Sequence, residues 1–148
     1  MLDELDFALI AQLQENARKP VTQLARELKR PTATVRERLS RLKDCGVVQG
    51  YTAALDVAKI GFPIKALVHI STSGRAVDPD EFLRGLGQIP EVASADLLTG
   101  DFEAVVTVHV RDIEHLSRIL YKDLRRVPEV TGTTTSVVLL GRQWKIPR

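Results

Sequence analysis

Leu2, Leu5, Leu9 and Leu13 recur at steps of three and four, and with Ile10 widening the stripe they predict an amphipathic helix over 3–16. Asp3 stands where an N-cap belongs. Asp6 adds a second carboxylate in the first turn, where free N–H groups and the helix dipole favour negative charge. Pro20 cannot continue that helix, and Val21, Leu24, Ala25 and Leu28 begin a second, short one. Val35, Leu39 and Leu42 define a third, which closes on Gly46. Three helices, the last two joined by a tight turn at Lys29-Arg30-Pro31, are the parts of a helix-turn-helix, expected over 1–48.

After Gly46 the period changes. Val47, Val48, Tyr51, Ala53 and Leu55 read as extended chain that ends at Gly61-Phe62-Pro63, so 49–63 is expected to be a hinge strand and linker. From Ile64 the pattern gives strand 64–71, helix 80–88, strands 92–98 and 104–110, helix 113–126 and strand 130–140. Ile89-Pro90-Glu91-Val92 recurs as Val127-Pro128-Glu129-Val130, each copy preceded by a helix with apolar residues at matching offsets, Phe82 and Leu86 in one and Leu120 and Leu124 in the other. A duplicated β-α-β unit fits a ferredoxin-like sandwich over 64–141, four antiparallel strands carrying both helices on one face. The fold class expected is therefore α+β. With Val105, Val108, Val110, Val137 and Val138 in the strands, self-association through the uncovered sheet face is a further expectation. The pattern assigns no role to the tail 142–148.

Charge changes the picture in the first third. Between Arg18 and Lys43 stand nine basic residues and two acidic ones, 9 − 2 = +7, whereas residues 51–148 carry twelve of each. The whole chain's modest +2 thus hides a concentrated local excess, and local density is what a polyanion senses. Stepping ~100° per residue from Val35 puts Leu39 and Leu42 within ~40° of it, and Ala33, Glu37, Ser40 and Arg41 on the far side with Thr34 and Arg36 on the flanks. Those six positions can reach base edges or phosphates, with Arg36 and Arg41 the main candidates. Arg38 lies ~60° from Val35, where it can either brace the domain through a carboxylate or touch DNA.

Other chemistry is sparse. At 44% apolar and 27% charged, the composition is that of an ordinary globular protein. No run approaches the ~18 apolar residues of a membrane span, and the acidic start Met1-Leu2-Asp3-Glu4 is unlike a signal peptide, so a cytoplasmic, nucleoid-associated protein is expected. The single cysteine, Cys45, excludes an internal disulfide and a Cys-pair metal site, and no metal or cofactor is expected.

The residues quoted above, with Leu2-Asp3, Asp6, Leu9-Ile10, Leu13-Gln14, Ala17-Arg18, Leu24-Ala25, Thr34-Val35, Arg38-Leu39, Leu42, Gly46, Tyr51 and Gly61, resemble the N-terminal pattern of the leucine-responsive regulatory protein/AsnC family. The resemblance continues through Val92, Thr99-Gly100-Asp101-Phe102-Glu103 and Val130, and so covers nearly the whole chain. It implies a transcription regulator that binds double-stranded DNA, pairs through its sheets into homodimers and often closes into octamers. It also implies an amino acid or related effector bound near a Gly-Asp-Tyr-Asp loop between dimers. By position that loop is Gly100-Asp101-Phe102-Glu103, with Leu98 and Thr99 before it. Phe102 replaces the commoner tyrosine and Glu103 the commoner aspartate, a change of one hydroxyl and one methylene that can alter the ligand without abolishing the site. In the turn, Lys29, Arg30 and Pro31 replace the usual glycine, apolar residue and serine, which leaves Thr32 as the candidate cap. The DNA-facing set is then Lys29, Arg30, Thr32, Ala33, Thr34, Arg36, Glu37, Arg38, Ser40 and Arg41.

Two rival functions share this architecture. Siroheme decarboxylases carry a His-Asn-Tyr-like motif in the C-terminal half, and Val92-Ala93-Ser94-Ala95-Asp96-Leu97-Leu98 has none of those residues. His69, His109 and His115 are scattered without metal-pair spacing, so no enzyme is expected. The other rival is a ligand-independent architectural protein that compacts DNA, which charge and fold leave open.

Overall fold

The computed structural model describes residues 1–73 and 78–142; all of the tail except Arg142 lies outside them. Two compact units are present, one over Met1–Ala54 and one over Leu55–Gly141.

The N-terminal unit holds helices α1 (Glu4–Glu15), α2 (Val21–Glu27) and α3 (Thr32–Asp44). Asp3 is the N-cap of α1 and forms a reciprocal box with Asp6: each carboxylate accepts the other's backbone N–H at 3.0 Å. Leu9, Leu24, Ala25, Val35, Leu39 and Leu42 are buried together, so the three predicted stripes face one another. The turn between α2 and α3 is a Schellman end, with the Arg30 N–H donating to the Ala25 carbonyl at 2.9 Å and Lys29 left-handed at φ 52°. Thr32 is not the cap of α3. It is already helical, and Pro31, which has no side-chain acceptor, takes the cap position.

The expected hinge strand forms no ladder. Residues 49–56 run as unpaired chain and 57–61 as a turn, because a strand is defined by a hydrogen-bonded neighbour and no described segment pairs with this one in a ladder.

In the C-terminal unit, strands β1 (Ile64–Thr72), β2 (Val92–Leu97), β3 (Ala104–Val110) and β4 (Val130–Val137) form an antiparallel sheet in the order β2-β3-β1-β4. Helices α4 (Pro79–Leu86) and α5 (Ile113–Arg118) cover one face, burying Phe82, Leu86 and Leu116 on Ala66, Val68, Ile70, Val106 and Val108. This is the expected βαββαβ sandwich. The second helix is not uniform: after Arg118 it widens to a π turn over Ile119–Asp123 and tightens to a 3₁₀ turn over Leu124–Arg126.

The valines do not share the uncovered face. Side chains alternate along a strand, so Val108 and Val110 point under the helices and are fully buried, while Val105 points the other way. The open face carries Lys65, Leu67 and His69 beside His109, Thr107 and Val105, with Thr134 and Ser136 beyond. It is a mostly polar surface rather than an apolar one.

Candidate nucleic-acid interface and effector loop

Helix α3 presents its expected outer residues. Ala33, Arg36, Glu37, Ser40 and Arg41 are exposed, Thr32, Thr34 and Arg38 are half-buried, and Lys29 and Arg30 are exposed in the preceding turn. Val35, Leu39 and Leu42 point inward, which fixes how the helix is rotated on the unit.

The arginines of α3 separate by their partners. Arg38 Nη1 donates to Asp3 and lies 3.3 Å from Asp6 Oδ1, so Arg38 takes the bracing role. Arg41 is also engaged, since its Nη2 donates to Asp6 Oδ2, although its side chain remains 47% exposed. Hydrogen bonding to Arg38, and then to the Asp6 backbone, holds the Asp3 carboxyl below its ordinary range. Lys19 is tied to Glu27 at 2.6 Å, and Lys43 lies over the Tyr51 ring at 5.1 Å. Among the described residues Arg18, Arg26, Lys29, Arg30 and Arg36 form no ion pair. The positive surface is therefore centred on the turn and the first half of α3.

The sequence pattern marks Asp3 and Asp6 only as the N-cap and a first-turn acid of α1. One signal could have said more: Asp6 falls within ~60° of Leu2, Leu9 and Leu13 on the helical wheel, so an acid occupies the apolar stripe of α1. An acid there calls for a cation on a neighbouring helix.

In the C-terminal unit Leu98–Glu103 joins β2 to β3. The Leu98 N–H donates to the Glu103 carbonyl at 2.8 Å and the Glu103 N–H to the Ile70 carbonyl at 2.9 Å, while Gly100 sits at φ 128°, where only glycine is comfortable. Leu98, Thr99, Gly100, Asp101 and Glu103 are exposed. Phe102 is half-buried against His69 of β1, their ring centroids 5.0 Å apart. A groove of about 600 Å³ lies elsewhere, on the helix side, lined by Glu91, Arg118, Lys122 and Arg126 among others. At its edge His115 Nε2 and Arg118 Nη2 each lie 2.7 Å from Glu91 Oε1. His69 and His109 stand on the open sheet face and His115 is a buried residue of α5, so the three histidines do not converge. Among the described residues no helix is long and apolar enough to cross a membrane.

Comparison with known proteins agrees with this geometry at both ends of the chain. Residues 2–43 match the AsnC-type helix-turn-helix domain and residues 65–145 the Lrp/AsnC ligand binding domain. The HTH-type transcriptional regulator Rv2324 of Mycobacterium tuberculosis is 31% identical over 93% of this chain and 92% of its own. Ptr1 of Methanocaldococcus jannaschii, also an HTH-type transcriptional regulator, is 30% identical over 94% and 93%. Among solved structures, the transcriptional regulator NMB0573 of Neisseria meningitidis in complex with L-Met superposes with a TM-score of 0.89 at 26% identity, covering 99% of this chain and 97% of that one. The chain belongs to the Lrp/AsnC family of helix-turn-helix transcription regulators.

Proposed function

We propose that the protein is a sequence-specific, non-catalytic DNA-binding regulator whose activity or assembly responds to an amino acid or related small molecule. The observation that carries the DNA half is the exposed cluster of Lys29, Arg30 and Arg36 at the turn and the start of α3, cations that no described acid neutralises. Phosphate contacts from these three set the register, and Thr32, Ala33, Thr34, Glu37, Ser40 and Arg41 approach the base edges, with Arg38 at the rim.

For the effector we place the site at Leu98, Thr99, Gly100, Asp101, Phe102 and Glu103. A turn this exposed cannot enclose a ligand alone, since small-molecule sites bury most of the ligand's surface. A second copy supplies the other wall, which makes the working protein a homodimer that assembles further, towards an octamer, in the cytoplasm. The L-Met bound to the Neisseria relative favours an amino acid as the ligand class.

Two measurements test the reading. Affinity for duplex DNA falls steeply with salt; a flat profile would reject DNA binding through this face. A thermal-shift screen against amino acids finds a stabilising one, by about 2.7 kcal/mol at ~100 times its dissociation constant. No shift with any of them would favour the ligand-independent architectural reading instead.

A further inference from the structure

Asp6 is fully buried, and its carboxylate is held by two arginines of α3. Its Oδ2 accepts the Asp3 N–H at 3.0 Å and Arg41 Nη2, and its Oδ1 lies 3.3 Å from Arg38 Nη1. The capping box with Asp3 uses one of these contacts and leaves the two guanidinium groups unexplained. Taking a carboxylate out of water is costly, and a well-packed apolar side chain would hold α1 against α3 at least as well. What the acid adds is orientation. Arg38, 26% exposed, is absorbed by Asp3 and Asp6 together. Arg41, 47% exposed, is tied only through Nη2 and keeps the rest of its five N–H donors unbonded among the described residues.

We infer that Asp6 is a positioning residue for sequence recognition: it fixes the Arg41 guanidinium so that the remaining donors meet a guanine edge as a preset fork. The inference rests on the DNA-binding reading above. A phosphate contact tolerates an untethered cation, and Lys29, Arg30 and Arg36 are exposed and have no acidic partner among the described residues. A guanine contact needs two donors aimed at O6 and N7 together, and a long free arginine loses rotamer freedom to reach that pose. A buried carboxylate sets the pose before DNA arrives. It also cancels one positive charge, so the tethered arginine adds discrimination without adding much sequence-independent attraction.

The test uses two duplex pools, one of random sequence and one enriched from it by repeated selection on the full-length wild-type protein. Asp6→Asn keeps the side chain's size and an acceptor oxygen but removes the charge. Its affinity for the enriched pool should fall at least about tenfold, the scale of one bidentate base contact, while its affinity for the random pool holds or rises. Arg41→Ala should lose as much on the enriched pool, and the double variant no more than Arg41→Ala alone. Equal losses by Asp6→Asn on both pools, an unchanged ratio, or full additivity with Arg41→Ala would overturn the inference and leave Asp6 a structural acid. If Asp6→Asn fails to fold, Arg41→Lys decides: charge and salt dependence remain, and a retained ratio would sink the proposal. Failure of the wild-type protein to enrich any pool would overturn the DNA reading itself, and this inference with it.

Discussion

The imidazole of His69, on β1, and the ring of Phe102, in the β2–β3 turn, lie 5.0 Å apart and tilted by 42°, so a strand side chain props the exposed turn from behind. A tilted aromatic pair of this kind contributes ~0.5–1.5 kcal/mol beyond the area it buries. Phe102→Ala should lower the stability of the C-terminal unit by at least that amount in urea, since the half-buried ring's apolar area is lost as well, and abolish any thermal shift produced by an amino acid. Phe102→Tyr keeps the ring and adds the hydroxyl common in the family, so its stability should stay within ~0.5 kcal/mol of wild type. An alanine variant as stable as the parent would show that the ring pair holds nothing.

Lys29 occupies the left-handed position of the turn at φ 52°, where the Schellman end favours glycine. A side chain there costs ~1 kcal/mol relative to glycine. Lys29→Gly should therefore stabilise the N-terminal unit, by up to ~1 kcal/mol on denaturation, and weaken DNA binding, because the same atom change removes an unpaired cation beside α3. A variant that gains stability and keeps full affinity would place the DNA backbone away from the turn.

Arg36 differs from Arg38 and Arg41 in having no acidic partner among the described residues. Removing a cation that contacts phosphate should reduce the slope of log affinity against log salt by ~1. Arg36→Ala is expected to do this and to weaken enriched and random duplexes by similar factors. Loss on the enriched pool alone would instead make Arg36 a base reader, and no loss on either would move the contact face along the helix.

How much was legible in the sequence depended on how local each determinant is. The α3 rotation followed from Val35, Leu39 and Leu42 alone, and the β-α-β repeat followed from two copies of a short turn motif, because both are written in consecutive residues. The charge count between Arg18 and Lys43 misled on detail. Asp3 and Asp6 lie outside that window in sequence but fold against Arg38 and Arg41, so part of the apparent excess is cancelled by residues a window cannot see. The uncovered sheet face failed for a different reason: counting valines ignores the alternation that sends Val105 and Val108 to opposite sides. The turn at 99–103 was legible from the strands expected on either side of it, 92–98 and 104–110, whereas the contact of Phe102 with His69 depends on β1 pairing with β3, a long-range register that no local pattern states.

Acid should weaken the C-terminal unit in two stages. Burial, with Lys65 adding to it, holds His109 below its ordinary 6.5, so the folded chain prefers the neutral ring while the unfolded chain takes a proton more readily. Stability from this residue is complete above about pH 7 and declines as pH falls from 6.5 towards the folded value, since the unfolded state then binds more protons. Glu91 acts lower on the scale. Desolvation pushes its carboxyl up, but the hydrogen bond from His115 and the nearby Arg118 outweigh that and leave it below 4.5. Its contribution is present above 4.5 and is lost as pH drops through the depressed folded value. Urea unfolding followed across pH should show a shallow decline beginning near neutrality and a steeper one in the carboxylate range. His109→Gln should remove the first stage and leave the second; stability that rises from neutral pH down to about pH 5 would contradict the His109 assignment, and stability that holds level as pH falls below 4.5 would contradict that of Glu91.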